Sequence, residues 1–287
     1  MRSRILLFGA GGQLGTEWGL FLKEKGFLFK SCTSSVVDVT DDTSLRSVFN
    51  SYRPDIVINC AAFTDVDLAE DEPEEAREVN AEAVAGIAKL CEDAGAKLVH
   101  YSSDYVFPGN VEDRERLPLG YPETYDPSPV NTYGLTKLIG EQLLQKYCSN
   151  YIIIRTSWLC GSYGSNFVKT MLRLSDEKDE LKVVNDQFGT PTFTGNLVEN
   201  SMALIDADFK GLIHASSSGL TNWHELASAI FEIKNIKTKL TAITTSEYPT
   251  KAVRPLYSHL DISNLESISG TRTITWQEGL ENLLRQI

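Results

Sequence analysis

The chain has 287 residues, 42% apolar and 23% charged, enough for one large α/β domain or a nucleotide-binding domain with a smaller companion. Lysine and arginine total 27 against 39 aspartates and glutamates, and the formal charge of −12 repels nucleic acid and anionic membrane surfaces, so neither is expected as a partner. Five cysteines (Cys32, Cys60, Cys91, Cys148, Cys160) form no C-x-x-C, no signal-peptide pattern precedes Ile5, and no apolar run approaches about 18 residues. Reduced core thiols in a cytoplasmic protein are the expectation.

The run from Arg4 to Phe8 is short and almost wholly apolar, the pattern of a strand buried on both faces of a parallel sheet. Gly9-Ala10-Gly11-Gly12-Gln13-Leu14-Gly15 follows, then a helical pattern to about Lys25. Leu14 stands where the third glycine of G-x-G-x-x-G would be; the chain has G-x-x-G-x-x-G instead, at Gly9, Gly12 and Gly15. Missing Cβ atoms let backbone approach a pyrophosphate at the N-terminus of the following helix. A plain strand-to-helix turn is the bland alternative, and the position after the first strand favours the nucleotide. The second strand, near Phe27 to Cys32, ends in Thr33-Ser34-Ser35, where an acid would hold an adenosine ribose. With no carboxylate or arginine there and hydroxyls able to donate to a 2′-phosphate, NADPH is favoured over NADH. Asp38 and Val39 follow, beside the adenine or in a solvated loop.

Asp55 to Asn59 is the third strand, and Ala61, Ala62 and Thr64 at its carboxyl end can lie against a cofactor. Asp65 and Asp67 have no further ligand at metal spacing, so no metal site is assigned. Glu70 to Glu82 read as the wet face of an Ala-rich helix reaching about Asp93 and ended by Gly95. Lys97 to Tyr101 is the fourth strand, delivering Ser102, Ser103 and Asp104. Phe107 to Val130 holds five prolines and reads as a long ordered loop. A helix then carries Tyr133 and Lys137, four residues apart and so on one face. An ammonium beside a phenol favours the phenolate, so Tyr133 is expected to titrate below its usual value of about 10 and to act as an acid or base. Ser103 offers a hydroxyl to the same substrate oxygen. Tyr-x-x-x-Lys alone is common on helix surfaces; it gains weight from the glycines upstream.

Tyr151 to Arg155 is the fifth strand. The β-α alternation specifies an α/β fold, a Rossmann-like doubly wound parallel sheet over residues 1–156 that later segments rejoin. Residues 157–287 are mainly a smaller C-terminal α/β substrate-binding domain. There, polar loops at 157–164 and 186–192 would cap the sheet edge, and Arg254 is a candidate for a diphosphate or a plain surface arginine. The four histidines are scattered, and Trp18, Trp223 and Trp276 read as core.

Gly12-Gln13-Leu14-Gly15, Asn59-x-Ala61-Ala62-x-Thr64-x-Val66-Asp67, Asp104-Tyr105-Val106-Phe107, Tyr133-Gly134-x-x-Lys137, Arg155-Thr156-Ser157-Trp158, Asn166-Phe167-Val168, Asp186-Gln187-x-Gly189-x-Pro191-Thr192 and Arg254-Pro255 recur in that order. In this series the chain resembles the extended short-chain dehydrogenase/reductases, and among them the dTDP-4-dehydrorhamnose reductases. The resemblance implies NAD(P)H-dependent reduction of the 4-keto group of dTDP-6-deoxy-L-lyxo-4-hexulose to dTDP-L-rhamnose for cell-surface polysaccharide. It implies Tyr133 as proton donor, Lys137 as its tuner and ribose ligand, and Ser103 as hydroxyl partner. Trp158, Asn166, Gln187 and Arg254 would contact the nucleotide-sugar. The whole expected site is Gly9, Gly12, Gln13, Leu14, Gly15, Thr33, Ser34, Asp38, Val39, Ala61, Ala62, Thr64 and Ser102 for cofactor, with Ser103, Asp104 and Tyr105 on the substrate side.

Two departures from the family carry expectations. Ser103 replaces the usual Thr and loses the methyl that fixes the rotamer, so slightly poorer orientation is expected. The charged loop from Gly109 to Gly120 looks longer than usual and is expected to alter the substrate mouth. Some relatives dimerise through acidic residues and Mg²⁺; no residue here is assigned to that ion, and a monomer or homodimer is expected. Two other readings are a non-catalytic dinucleotide-binding subunit, like those regulating methionine adenosyltransferase, and a nucleotide-sugar epimerase or dehydratase.

Overall fold

The computed structural model describes residues 3–270 and 272–287. Its first part runs β1 (Arg4–Phe8), α1 (Gln13–Glu24), β2 (Leu28–Cys32), α2 (Asp42–Tyr52), β3 (Ile56–Asn59), α3 (Leu68–Asp71), α4 (Pro73–Arg77), α5 (Ala83–Ala94), β4 (Lys97–Ser103), α6 (Asp113–Arg116), α7 (Thr132–Tyr147) and β5 (Tyr151–Thr156). Then come β6 (Leu159–Cys160), α8 (Phe167–Glu177), β7 (Glu180–Val184), β8 (Phe188–Gly189), β9 (Thr192–Phe193), α9 (Thr194–Asp206) and β10 (Gly211–His214). β11 (Thr221–Asn222), α10 (Trp223–Lys234), β12 (Lys239–Ile243), α11 (Ser263–Ser269) and α12 (Trp276–Gln286) finish the chain.

Six strands form one parallel sheet in the order β10-β5-β4-β3-β1-β2. The chain leaves β1 toward β2 and returns on the other side to β3, so the strand order reverses between β1 and β3, where open α/β sheets bind ligands at their carboxyl ends. Successive side chains alternate between faces, which is why the apolar runs bury both. Leu6, Phe8, Val57, Leu98 and Ile153 pack under α2, α5 and α7. Ile5, Leu7, Ile58, Val99, Ile152 and Ile154 pack under Trp18 and Leu22 of α1, Leu197 and Val198 of α9, and Leu265 of α11. Strand β10 completes the sheet from beyond residue 157 by pairing with β5.

A separate apolar cluster joins α8, β7, α10 and α12 through Val168, Leu181, Leu226, Ile230, Leu280 and Leu283. A fourth lies under the long loop, where Val106, Phe107 and Tyr121 meet Tyr257 and Leu260. That loop holds only the short α6. Its buried Asp113 accepts a 2.7 Å hydrogen bond from the Tyr121 hydroxyl, and Arg114 lies 3.9 Å over the Phe188 ring. The charged stretch 109–120 thus packs on the C-terminal segment. None of it lines the main cavity, contrary to the expectation that it shapes the substrate mouth.

The acidic helix also differs from expectation. Pro73, lacking an N–H, starts a new helix after α3, and residues 78–82 form a π turn before α5. Glu70 is not on a wet face: its carboxylate accepts from the Thr132 amide (2.7 Å) and hydroxyl (2.8 Å), tying α3 to the start of α7. All five cysteines are free. Among the described residues no helix is long and apolar enough to cross a membrane.

Candidate active site

The glycine turn after β1 is wound against its neighbours. Gly9 has φ +68°, and a Cβ there would strike the backbone of Cys60 and Ala61; a Cβ on Gly15 would overlap the Gly9 carbonyl. Gly12 is different: its amide donates to the Gly9 carbonyl at 3.0 Å, and its Cβ position is only in contact range. Gly12 also precedes α1 as an extended residue, and no side chain caps this helix. Its first-turn N–H groups have no intrahelical partner and carry the positive end of the helix dipole.

Those amides border a cavity of about 660 Å³ at the carboxyl ends of β1, β3, β4 and β5. Gly12, Gln13 and Leu14 form one wall, Asn59 to Ala62 and Thr64 the next. Ser102 to Tyr105 with Tyr133 and Lys137 form the third, and Thr156 to Cys160 with Phe167 and Trp223 the last.

Helix α7 is anchored at its start. Asn131 caps it by accepting from the Gly134 amide (2.8 Å) and donates to the Val253 carbonyl (2.9 Å). Tyr133 and Lys137 follow on one face. Lys137, 2% exposed, donates to the Tyr101 carbonyl at 2.6 Å, which aims it along the end of β4. The Tyr133 ring meets Tyr105 edge-on at 5.6 Å. Ser103 donates to Asp104 Oδ1 (2.9 Å) and accepts from the Tyr105 amide (3.1 Å). Two hydrogen bonds therefore fix the Ser103 hydroxyl without the missing methyl.

The electrostatics correct one expectation. Tyr133 is not lowered: burial pushes its phenol up to about 12, the nearby Asp104 charge adds to that, and the Ser103 hydroxyl opposes it. Removal of water around the ring sets the direction, and the ammonium one turn away is engaged by the Tyr101 carbonyl. Burial pulls Lys137 down to about 8, and the Glu141 charge opposes that first. Burial also raises Asp104 to about 7, though the Ser258 and Ser103 hydroxyls favour its charged form.

Several expected residues lie off the cavity wall. Gly9 and Gly15 shape the turn beneath it. Thr33 abuts Gly11 and bonds the Ser35 hydroxyl at 2.9 Å; Ser34 is exposed beside it. Asp38 accepts from the Thr40 amide and hydroxyl, and Val39 packs on the core. Asn166 was expected to reach the sugar, but its side chain is engaged. It accepts from the Lys169 amide as the α8 cap and donates to Gln13 Oε1 and the Gly161 carbonyl, both at 2.7 Å. Gln187 likewise donates to the Thr245 hydroxyl (3.0 Å), away from the cavity. Arg254 pairs with Asp67 at 2.7 Å, close enough for its charge to act on the Tyr105 phenol; its Nη1 has no partner among the described residues. Asp65 accepts from the Leu68 amide, and among the described residues no group of three or more His, Cys, Asp or Glu is arranged for a metal.

Trp223, expected in the core, packs against the α8, α10 and α12 cluster and has a second role. It lines the cavity and stacks on Trp158 at 3.6 Å and 11°, while Trp158 itself has φ +45°. Trp223 stands three, four and seven residues before Leu226, Ala227 and Ile230, on the same face of α10, so the sequence pattern marks it as core and carries no signal for its place at the cavity. Asn59, Cys60 and Thr156 line the cavity too, and only their place at strand ends could have singled them out.

A family model described as RmlD substrate binding domain matches residues 3–287. The chain is 40% identical to dTDP-4-dehydrorhamnose reductase of Escherichia coli K12 over 297 residues, covering 99% of this chain and 97% of that one. It is also 40% identical over 286 residues to the spore coat polysaccharide biosynthesis protein SpsK of Bacillus subtilis 168, covering 99% and 98%. The crystal structure of dTDP-4-dehydrorhamnose reductase from Bacillus anthracis Ames in complex with NADP matches it with a TM-score of 0.95 and 37% identity across the whole of both chains. These matches span the whole length of the chain, and on that ground it belongs to the RmlD family, the dTDP-4-dehydrorhamnose reductases.

Proposed function

We propose that this protein reduces the 4-keto group of dTDP-4-dehydro-L-rhamnose to give dTDP-L-rhamnose, with NADPH as the reductant. The observation that carries this reading is that Tyr133, Ser103 and Lys137 line the same cavity as the uncapped start of α1. The residues fit a dinucleotide: Gly9 and Gly15, where a Cβ would strike the chain itself, let the turn close tightly beneath the cavity, and the first-turn amides it presents suit an anionic partner such as a pyrophosphate. Thr33 and Ser34, with no carboxylate at the end of β2, favour the 2′-phosphate of NADPH, and the NADP complex of the Bacillus anthracis relative supports that choice.

When bound, the reduced nicotinamide supplies the hydride that adds to the ketone carbon. Tyr133 gives its proton to the oxygen as negative charge builds there, and Ser103 donates a second hydrogen bond to the same atom by turning its O–H away from Asp104. A phenol raised to about 12 releases no proton to water at neutral pH, so it waits protonated until an alkoxide forms. Lys137 holds the ribose and offers its charge to the phenolate left behind. Trp158 and Trp223 present flat apolar surface to the nucleotide-sugar, and the free Nη1 of Arg254 suits its diphosphate. Residues 1–156, with α9 and β10, serve the dinucleotide, and the remainder of 157–287 mainly serves the sugar. Free thiols and an acidic charge balance support a cytoplasmic setting.

The test is to supply the keto-sugar from the upstream epimerase and follow NADPH and NADH absorbance in parallel with product formation. One dTDP-L-rhamnose per NADPH oxidised is expected, with NADH slower. Product formed without net coenzyme consumption would instead identify an epimerase, and no product at all would end the proposal.

A further inference from the structure

Helix α7 carries a third acidic or basic group on the face that bears Tyr133 and Lys137. Glu141 lies one further turn along, so positions 133, 137 and 141 form a single row. Glu141 is 2% exposed and Arg155 of β5 is 3% exposed. They bond through both carboxylate oxygens, Nε to Oε1 at 2.9 Å and Nη2 to Oε2 at 2.7 Å. The guanidinium is backed by the face of Phe107 at 5.0 Å. Nothing in the proposed chemistry uses this pair, and its burial makes it costly to keep.

We propose that Glu141, held immobile by its two-pronged bond to Arg155, is a positioning residue for the buried Lys137 ammonium one helical turn away. This rests on the reading of Tyr133 and Lys137 given above. Burial alone drives Lys137 toward the neutral amine, and a neutral amine can neither steady a phenolate nor donate all its hydrogen bonds. Glu141 supplies the compensating negative charge from inside the same helix. The other groups facing Lys137 cannot replace it. The Cys60 thiol, beyond β3, is held protonated by burial. His100 on β4 is kept neutral by burial and by Lys137 itself, and Tyr133 is protonated. The Tyr101 carbonyl orients the amine but carries no charge. Arg155 fixes the carboxylate in place, since both of its oxygens are bonded to the guanidinium.

The experiment is a pH titration of ligand-free protein labelled with 13Cε-lysine, the Lys137 signal being assigned by its loss in Lys137→Met. It is run beside the pH profile of kcat/KM. In Glu141→Gln, the Lys137 titration and the alkaline limb of the profile should both move to lower pH, by about one unit or more. Arg155→Lys should lower the melting temperature, because the two-pronged bond is lost, yet leave both pH values in place. A folded Glu141→Gln with the wild-type Lys137 titration overturns the inference; so do shifts in both variants that merely follow their loss of stability. If Glu141→Gln does not fold, Glu141→Asp takes its place, with a smaller shift in the same direction expected and no shift counting against. The lysine titration needs no turnover, so it separates failure here from failure of the reductase reading.

Discussion

Tyr133→Phe deletes one hydroxyl from a helix whose start is held by Asn131 and Glu70, so the cavity should keep its shape. The expected result is a loss of about 10²–10³ in kcat with NADPH affinity unchanged, read by steady-state rates and by fluorescence titration of the coenzyme. Ser103→Thr should alter kcat little, because Asp104 and the Tyr105 amide already fix the hydroxyl; a large gain would show that the methyl matters. The pH dependence follows from Lys137, not from the phenol. A lysine whose value falls from 10.5 to about 8 loses its proton first, so kcat/KM should decline above pH 8, well before Tyr133 ionises near 12. The helical spacing in the sequence tells which groups are neighbours, but not how much water surrounds them, and here burial reverses the direction expected for the phenol. Asn166 and Gln187 were opaque for a related reason: their amides are engaged by Gln13 and Thr245, partners remote in sequence, and one nitrogen of Arg254 is likewise taken by the distant Asp67.

At the scale of elements, α7 is placed by two close approaches. A Cβ on Gly134 would overlap the Tyr105 carbonyl, and one on Gly140 would overlap the Asn80 carbonyl in the π turn. Gly140→Ala should therefore destabilise the protein by about 1–3 kcal/mol as an overpacked contact, seen as a lower melting temperature with kcat largely retained. Gly134→Ala acts nearer the chemistry and should depress kcat more than stability. The strands were legible because both faces are buried and each reads as an uninterrupted apolar run. Helix α1 was legible from its glycines. The π turn was not, because it exists to bring the Asn80 carboxamide to Phe63, whose amide it accepts at 2.9 Å and whose carbonyl it bonds at 3.0 Å. Glu70 looked like one solvated carboxylate among many because its partner, Thr132, is 62 residues away.

Across the whole molecule, three buried histidines set the response to acid. Burial lowers His214 from 6.5 to about 3 and His259 to about 4, and lowers His100 well below its ordinary value. Each binds fewer protons folded than unfolded, so stability rises with pH through that window and is lost as pH falls from about 6.5 toward 4. Melting curves at stepped pH should show this decline, and His214→Phe should flatten part of it. The return of the chain to the main sheet has a consequence for synthesis. Strand β5 has no outer neighbour until Gly211–His214 arrives, and the face covering Ile152 and Ile154 waits for α9. A nascent polypeptide stalled after residue 156 would carry an open strand edge and bare hydrophobic surface, a target for chaperones and for aggregation. The nucleotide-holding half cannot close on the ribosome until some two hundred residues have left the exit tunnel, so these later segments also decide when the earlier ones become safe.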